Sequence, residues 1–598
     1  MSEQASRSVD QSLKGATGWS LLLFATAGAI RSLILWQLTD SEVFNYGLSD
    51  GRAYQLWSRQ LVEGGASVTD FLVGPPLYPL FMASLFQGLG ESLFLVRTVQ
   101  VVFGAFACVL LMQAGWQLRS KATGLIAGFL LAFYPIAIWS NFSIHTSAID
   151  VFLVCLSLAL IADYQARPSR GSILGLGLVL GLLFLSREST FVLLLASVLV
   201  LAFRGKQLDR PGWTDAGLLV AGAAVLMIPA LAIDWAAGGE LRFLKAPLSY
   251  HLYSGNTGVE SLDGRVGLFQ PPISAQGPVA AVESRIGHPP TRSEVADFYE
   301  NAFDRDRAES GDPISSVLFR KSLMTLNAVE PADTQEAWVH AQYSPPLEFL
   351  FNVIHFGWIL PLAFFGAWVV WPERGRFSWL YAWSVVWLLW SVVFYHYGRH
   401  RLLILPVLLL LAAAGVAGAS RFVQNRPRPV VVAAILSALF VLVIAQWPIL
   451  NENTERSMAY HGVASGLGEL GLEEWSILRM EDALAFDSDN AFAHRGIGSL
   501  YAEFDAFGMA ELHFREAIRL RPDDLAAYRN LAEVQHQSYD NHGAIETYAI
   551  LLTKTPKDAE VWLAKARIHH ELGDDQEARF NLQRALSLDP DLAQPAAP

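Results

Sequence analysis

The sequence predicts a mainly α protein in two parts. A polytopic membrane helical bundle of about eleven spans occupies residues 18–450, and an α-solenoid occupies 457–592. Three observations carry this. Of 598 residues, 53% are hydrophobic and only 17% charged, a balance unlike that of water-soluble chains. Apolar runs long enough to cross ~30 Å of hydrocarbon recur up to residue 450. Beyond it, Pro522, Pro556 and Pro590 stand 34 residues apart, the period of a helical repeat array.

Residues 1–17 lead into an apolar stretch without a small-residue cleavage site, so the expectation is a cytoplasmic N-terminus and an uncleaved first span. The apolar runs are 18–38, 93–118, 122–140, 145–163, 171–186, 189–204, 215–236, 347–371, 377–395, 399–420 and 429–449. The segment PPLYPLFMASLFQGLG (75–90) opens on a proline pair and is short, which predicts an interfacial element. Basic loops set the orientation: RSK (119–121), RPSR (167–170), RGKQLDR (204–210), PERGR (372–376) and RFVQNRPRP (421–429) fall on alternate connections, and short basic loops stay in the cytoplasm. The connections 39–92, 140–145, 186–189, 237–346 and 395–399 then lie on the outer face, with the tail. The expected location is a bacterial inner membrane. A net charge of −13 gives no support to nucleic-acid binding, which needs basic stripes that the sequence does not show. Cys108 and Cys155 both sit in apolar runs, so neither a disulfide framework nor a cysteine metal site is expected.

Arg187 in SREST, with Arg399 and Arg401 in GRHR, breaks the orientation rule by lying on the outer face. Snorkelling to headgroups explains any one of them. Three on one face point to an anionic ligand, because the guanidinium fork suits phosphate oxygens. His396 and His400 flank the pair of arginines. Acidic groups share the face. Asp50 precedes a helical pattern of Tyr54, Leu56, Trp57 and Leu61 and reads equally as its cap. His145 lies near the surface with Asp150 a turn deeper, where an ionisable group needs a partner or a task. Glu188 adjoins Arg187 and can neutralise it in part. The outer connection 237–346 is long enough to form a small subdomain. No phosphate-loop, HExxH or EF-hand motif is present, and no metal ligand set is expected.

The order of Asp50 with Tyr54, PPLYPLF, ESLFLVRTVQVVFG (91–104), the YP pair at 134–135, Arg187 and RHRLLILP (399–406) resembles the GT-C fold glycosyltransferases. The likeness is to bacterial relatives of dolichyl-phosphate-mannose protein mannosyltransferases and aminoarabinose transferases. The resemblance implies transfer of a sugar from a polyprenyl-phosphate carrier to an acceptor, protein or glycan, on the outer face. It implies Asp50 as the base, with His145 or Asp150 assisting, and the carrier phosphate near Arg187, Arg399, Arg401 and His396. YSGNTG, with Gly255 and Asn256, and Glu330 resemble substrate-loop elements, alongside Tyr54 and Glu188. Two positions depart from the family: Gly51 stands where many relatives carry a second acid, and HTS (145–147) where they carry another.

The chemistry agrees with the residue types. Loss of the sugar leaves a phosphate monoester, which gains charge and calls for cations. The attacking hydroxyl calls for a general base. Direct attack inverts the anomeric centre, and no second carboxylate nucleophile of the kind retention needs is evident. The residues name no cofactor besides the lipid-linked donor and leave a need for a divalent metal open.

In the tail, Gly498, Tyr501, Ala510, Phe514, Ala517 and Pro522 fall at tetratricopeptide packing positions. Ala544, Tyr548 and Pro556, then Ala578, Ala585 and Pro590, repeat them. Three clear units and a degenerate one near 457–488 suffice for a stacked core. They imply a protein partner or self-association. Two other readings remain open. A transporter or flippase for a lipid-linked substrate places its charges near the midplane. An oligosaccharide ligase or polymerase of different fold also carries repeat tails. A bare membrane anchor needs no such bundle.

Overall fold

A computed structural model describes residues 2–39, 41, 44, 50–65, 76–203, 212–238, 249, 252–253, 256, 282, 288, 290–310, 313–329, 337–394, 398–468 and 470–589, the side chains of 2–16, 50, 233–234, 236–238, 292, 305–310 and 398–399 excepted. Every regular element among them is a helix. Contacts divide the chain into two units, Met1–Asn451 and Glu452–Pro598.

The first unit runs α1 (Ser2–Leu38), α2 (Asp50–Glu63), α3 (Leu77–Leu89), α4 (Leu93–Leu118), α5 (Lys121–Phe133), α6 (Pro135–Trp139), α7 (Ser147–Ala166), α8 (Arg170–Ser186), α9 (Phe191–Phe203) and α10 (Gly212–Gly238). It continues with α11 (Arg292–Ser310), α12 (Ile314–Leu326), α13 (Ala337–Ala341), α14 (Pro345–Val353), α15 (Phe356–Val370), α16 (Ser378–Val393), α17 (Gly398–Asn425) and α18 (Arg428–Ala445). Among the described residues, seven helices are long and apolar enough to cross a membrane: Thr17–Leu38 within α1, α4, α7, Gly212–Ala232 within α10, Phe356–Glu373, His400–Asn425 within α17, and α18. The four other apolar runs fall on the shorter helices α5, α8, α9 and α16, and the segment expected at the interface forms α3.

Two expected spans are broken. The run 122–140 stops at Tyr134 (φ −74°, ψ 116°), because Pro135 drives the residue before it out of the helical region. The carbonyls that the break frees are taken by Arg31, whose guanidinium donates to the Leu131 and Ala132 oxygens. The run 347–371 divides at the extended Ile354 and His355. Its halves serve different cores: Leu347, Leu350 and Phe351 pack with Ile34, Ile138 and Trp139, while Phe356, Ile359 and Leu360 join the main cluster. Hydropathy cannot register such a break, since both halves are apolar.

Helices cross closely where glycines face each other. A Cβ on Gly366 would meet the Leu411 carbonyl of α17, and one on Gly222 the Leu174 carbonyl of α8, the small-residue packing by which membrane helices associate. Both cysteines are buried and free, as core filler.

The second unit is four helix pairs: α19 (Glu452–Gly468) with α20 (Glu473–Phe486), α21 (Ala491–Glu503) with α22 (Phe507–Leu520), α23 (Leu525–Gln537) with α24 (Asn541–Lys554), and α25 (Ala559–Glu571) with α26 (Asp575–Leu588). A left-handed residue closes the first helix of each pair, at Gly471, Asp505, Tyr539 and Gly573, 34 residues apart. That register carries the repeat into the first, degenerate pair. Asn490, Asp524 and Asp558 cap the leading helices, and Asp540 and Asp574 cap following ones. Ala510, Phe514, Ala517, Ala544, Tyr548, Ala578 and Ala585 are buried. Gly498 is small because a Cβ there would meet the Phe514 ring. Arg495 and Arg529 reach one repeat onward to Asp524 and Asp558.

Candidate functional site

A stretch of non-helical chain, Ser140–Thr146, joins α6 to α7, and every residue in it is buried. Buried backbone that leaves the helix must find its hydrogen bonds in the protein, and here polar side chains from three helices grip it. Arg31 donates to Asn141 Oδ1 at 2.7 Å. Gln100 donates to the Asn141 and Ser143 carbonyls, both at 3.0 Å. Arg97 donates to the Phe142 carbonyl at 2.8 Å. The Tyr78 hydroxyl donates to Gln100 Oε1 at 2.6 Å and accepts from the His145 backbone. Gly104 allows this approach, since a Cβ there would strike Asn141 and Arg31.

The turn leads into an ion pair. Arg187 Nε lies 3.2 Å from Asp150 Oδ2, and its Nη2 donates to Thr146 Oγ1 at 3.2 Å. Thr146 and Ser186 donate to the two Asp150 oxygens. Arg187 is placed by local chain geometry, because it is the extended residue between the end of α8 and a 3-10 turn over Glu188–Thr190. Asp150 is 1% exposed and Arg187 and Glu188 are each 8% exposed. His145 accepts at Nδ1 from the Ser147 backbone N–H at 3.2 Å, which assigns the neutral ring its proton at Nε2.

The first-loop helix meets the same turn. Tyr54 stands with its ring 6.0 Å from His145 and 5.1 Å from Tyr78. Asp50 is the first residue of that helix, one turn and about 6 Å along the axis from Tyr54; its side chain lies outside the described residues. Tyr54, His145, Asp150, Arg187 and Glu188, far apart in sequence, thus gather around one turn.

The second arginine cluster has another partner. Arg401 donates to the carbonyls of Met324 at 2.9 Å and Val329 at 3.3 Å, and its guanidinium lies 4.5 Å from the Phe356 ring centroid. It therefore closes the C-terminal end of α12. Arg399 opens α17 with its side chain outside the described residues, and His396, Gly255 and Glu330 lie outside them entirely. Asn256 is buried and accepts from Lys321 Nζ at 3.0 Å. Lys321 also donates to the carbonyls of Phe394 and Val393, which end α16 just ahead of the arginines. Burial lowers the Lys321 amine to about 7. Phe191, four residues past Arg187, stacks edge-on against Trp390, which lies on Phe394. A continuous ring contact thus leads from the Arg187 turn to the Lys321 clasp.

Sequence reasoning missed Arg97, Gln100, Tyr78 and Lys321. Arg97 carried a signal, a charge inside an expected span; Lys321 carried none, since its burial depends on α16 and Asn256. Among the described residues no group of three or more His, Cys, Asp or Glu stands ready to hold a metal ion.

No curated protein matches the chain. Solved structures similar to it include a crystal structure of MamA, at 18% identity and TM-score 0.23, covering 27% of this chain and 95% of that one. Another is MamA 41-end from Desulfovibrio magneticus RS-1, at 12% identity and TM-score 0.22, covering 29% and 93%. Residues 559–592 match the tetratricopeptide repeat model. Residues 73–235, which hold Tyr78, Arg97, His145, Asp150 and Arg187, match the model described as dolichyl-phosphate-mannose-protein mannosyltransferase. Over that stretch the membrane unit is similar to the mannosyltransferases of this family, which supports a membrane glycosyltransferase of the GT-C type with tetratricopeptide repeats behind it.

Proposed function

We propose that the protein transfers a sugar from a polyprenyl-phosphate carrier to an acceptor hydroxyl on the outer face of the membrane, with inversion. The observation that carries the reading is the Tyr54–His145 contact. It joins the helix that Asp50 opens to the turn gripped by Arg187, which supports the reading that Asp50 and Arg187 serve one site. Asp150 is committed to Arg187, Thr146 and Ser186, and His145 has its Nδ1 lone pair occupied. Asp50 is then the base that takes the acceptor proton. Asp150 acts as the positioning residue that aims Arg187. Arg187 stabilises the charge that grows on the leaving phosphate, with Arg399 and His396 as further donor-phosphate candidates, whereas Arg401 holds the Met324 and Val329 carbonyls and Asn256 is engaged by Lys321. The repeat array recruits a protein partner, the acceptor or a second copy.

The test supplies a polyprenyl-phosphate sugar and an acceptor extract to the purified full chain and its Asp50→Asn variant. Loss of about 10²-fold or more in transfer, the worth of a general base, is expected with donor binding unchanged. Equal transfer by both proteins rejects Asp50, and no transfer by either with any lipid-linked sugar rejects the reading. A transporter would instead move the lipid-linked substrate across a vesicle without releasing carrier phosphate.

A further inference from the structure

We propose that Arg97 is a second anion-binding residue of this site, its two terminal amino groups taking the oxygens of a phosphate group. The comparison with Arg31 carries the assignment. Both side chains are buried, Arg31 at 1% and Arg97 at 4% exposure, and among the described residues neither faces a carboxylate. Arg31 spends its whole fork on the protein: Nε on Asn141, Nη1 on the Ala27 and Ala132 carbonyls, and Nη2 on the Leu131 carbonyl. It is a structural strut. Arg97 spends only Nε, on Phe142, and its guanidinium lies 3.8 Å from the Phe44 ring centroid. Neither Nη1 nor Nη2 has a protein acceptor among the described residues. Four N–H donors that the protein leaves unused stand open to an incoming acceptor.

Its place says what arrives. Arg97 and Arg187 hold the same turn, one at the Phe142 carbonyl and the other at Thr146 Oγ1. The Tyr78 phenol stands within electrostatic reach of Arg97 and against Tyr54. Asp150 already neutralises Arg187, and Arg31 has protein acceptors for both of its terminal amino groups, whereas among the described residues Arg97 has neither a carboxylate beside it nor an acceptor for its terminal amino groups. A planar fork with two free amino groups fits two phosphate oxygens. The inference rests on the transferase reading only for the source of that phosphate, which is either the lipid carrier or a phospholipid headgroup.

The experiment measures binding to the full chain in detergent micelles, with farnesyl phosphate as charged probe, farnesol as uncharged control and phosphatidylglycerol as headgroup competitor. Arg97→Gln is expected to weaken farnesyl phosphate by about 10- to 100-fold, the worth of one or two charged hydrogen bonds, with farnesol unchanged. Wild-type affinity for farnesyl phosphate is expected to rise as pH passes about 6 and the phosphate gains its second charge, and the rise is smaller in R97Q. Should R97Q fail to fold, Arg97→Lys decides: it keeps the charge and loses the fork, so a selective loss for farnesyl phosphate supports the proposal and no loss overturns it. Undiminished binding by R97Q, or an equal loss of farnesol, overturns the Arg97 assignment and leaves the transferase reading standing. Competition by phosphatidylglycerol in wild type but not in R97Q supports the anion site and makes the headgroup its source. Binding of neither phosphate by wild type sinks both ideas.

Discussion

Substituting Asp150 by Asn separates the two tasks of the buried ion pair. Asparagine keeps the carboxylate's shape and its acceptor for Thr146 or Ser186, and deletes only the charge opposite Arg187. At 3.2 Å, with side-chain exposures of 9% and 1%, the Coulomb attraction at an effective dielectric of 20 is roughly 5 kcal/mol. Part of that already offsets the cost of removing both ions from water, so breaking one side is expected to destabilise the membrane unit by about 3–5 kcal/mol. Arg187→Met should cost a similar amount, and the double variant much less than their sum, giving a coupling on the order of 3 kcal/mol. Unfolding in mixed micelles, followed by tryptophan fluorescence across an SDS titration, measures all three. Additive costs, agreeing within about 0.5 kcal/mol, would show that the pair does not act as a unit and would refute the positioning role given to Asp150.

Gly104→Ala pushes a methyl group into Asn141 and Arg31; a loss of about 1–3 kcal/mol is expected, with donor binding falling too if the turn is displaced. Tyr539→Gly should stabilise the tail, because a tyrosine that is 90% exposed at φ 66° holds a left-handed conformation for little burial in return. Hydrogen exchange of α23 and α24 should slow by the equivalent of roughly 0.5–1 kcal/mol, and faster exchange contradicts the strain argument. Burial holds the His461 imidazole down to about 4 from an ordinary 6.5, so the unfolded tail binds its proton first. Stability should therefore decline as pH falls from about 6.5 to about 4, by on the order of 3 kcal/mol, and His461→Gln should flatten that decline in a pH series of tail exchange rates.

The helical repeat was readable because its signals are local: prolines, small residues and caps recur by position, and each sits where its own repeat needs it. The membrane helices were readable for the same reason, since a span requires only its own apolar residues. Where they end was not, as the breaks at Tyr134 and at Ile354–His355 show. The first follows from Pro135 together with a guanidinium from α1, and the second from which core each half joins. Of the candidate site, Asp150 and Arg187 could be singled out as charges at span ends, but their mutual contact is a property of how α7 meets α8. Arg401 shows the limit most clearly. A cation at a span end reads as ligand-binding in sequence, and in the fold it closes the carbonyls of α12. The discriminator between strut and ligand residue is how many donors the protein itself consumes, and no spacing encodes that.

Because the left-handed residues and the capping aspartates keep one interval through the tail, the array behaves as interchangeable modules. Excising 525–558 would set Asp524 directly before Ala559, so the cap, the Arg495 bridge and the following helix pair would all find their usual neighbours. Duplication of the same segment would lengthen the array as smoothly. Lineages can therefore change the reach of this appendage in whole units without disturbing the membrane unit that carries it.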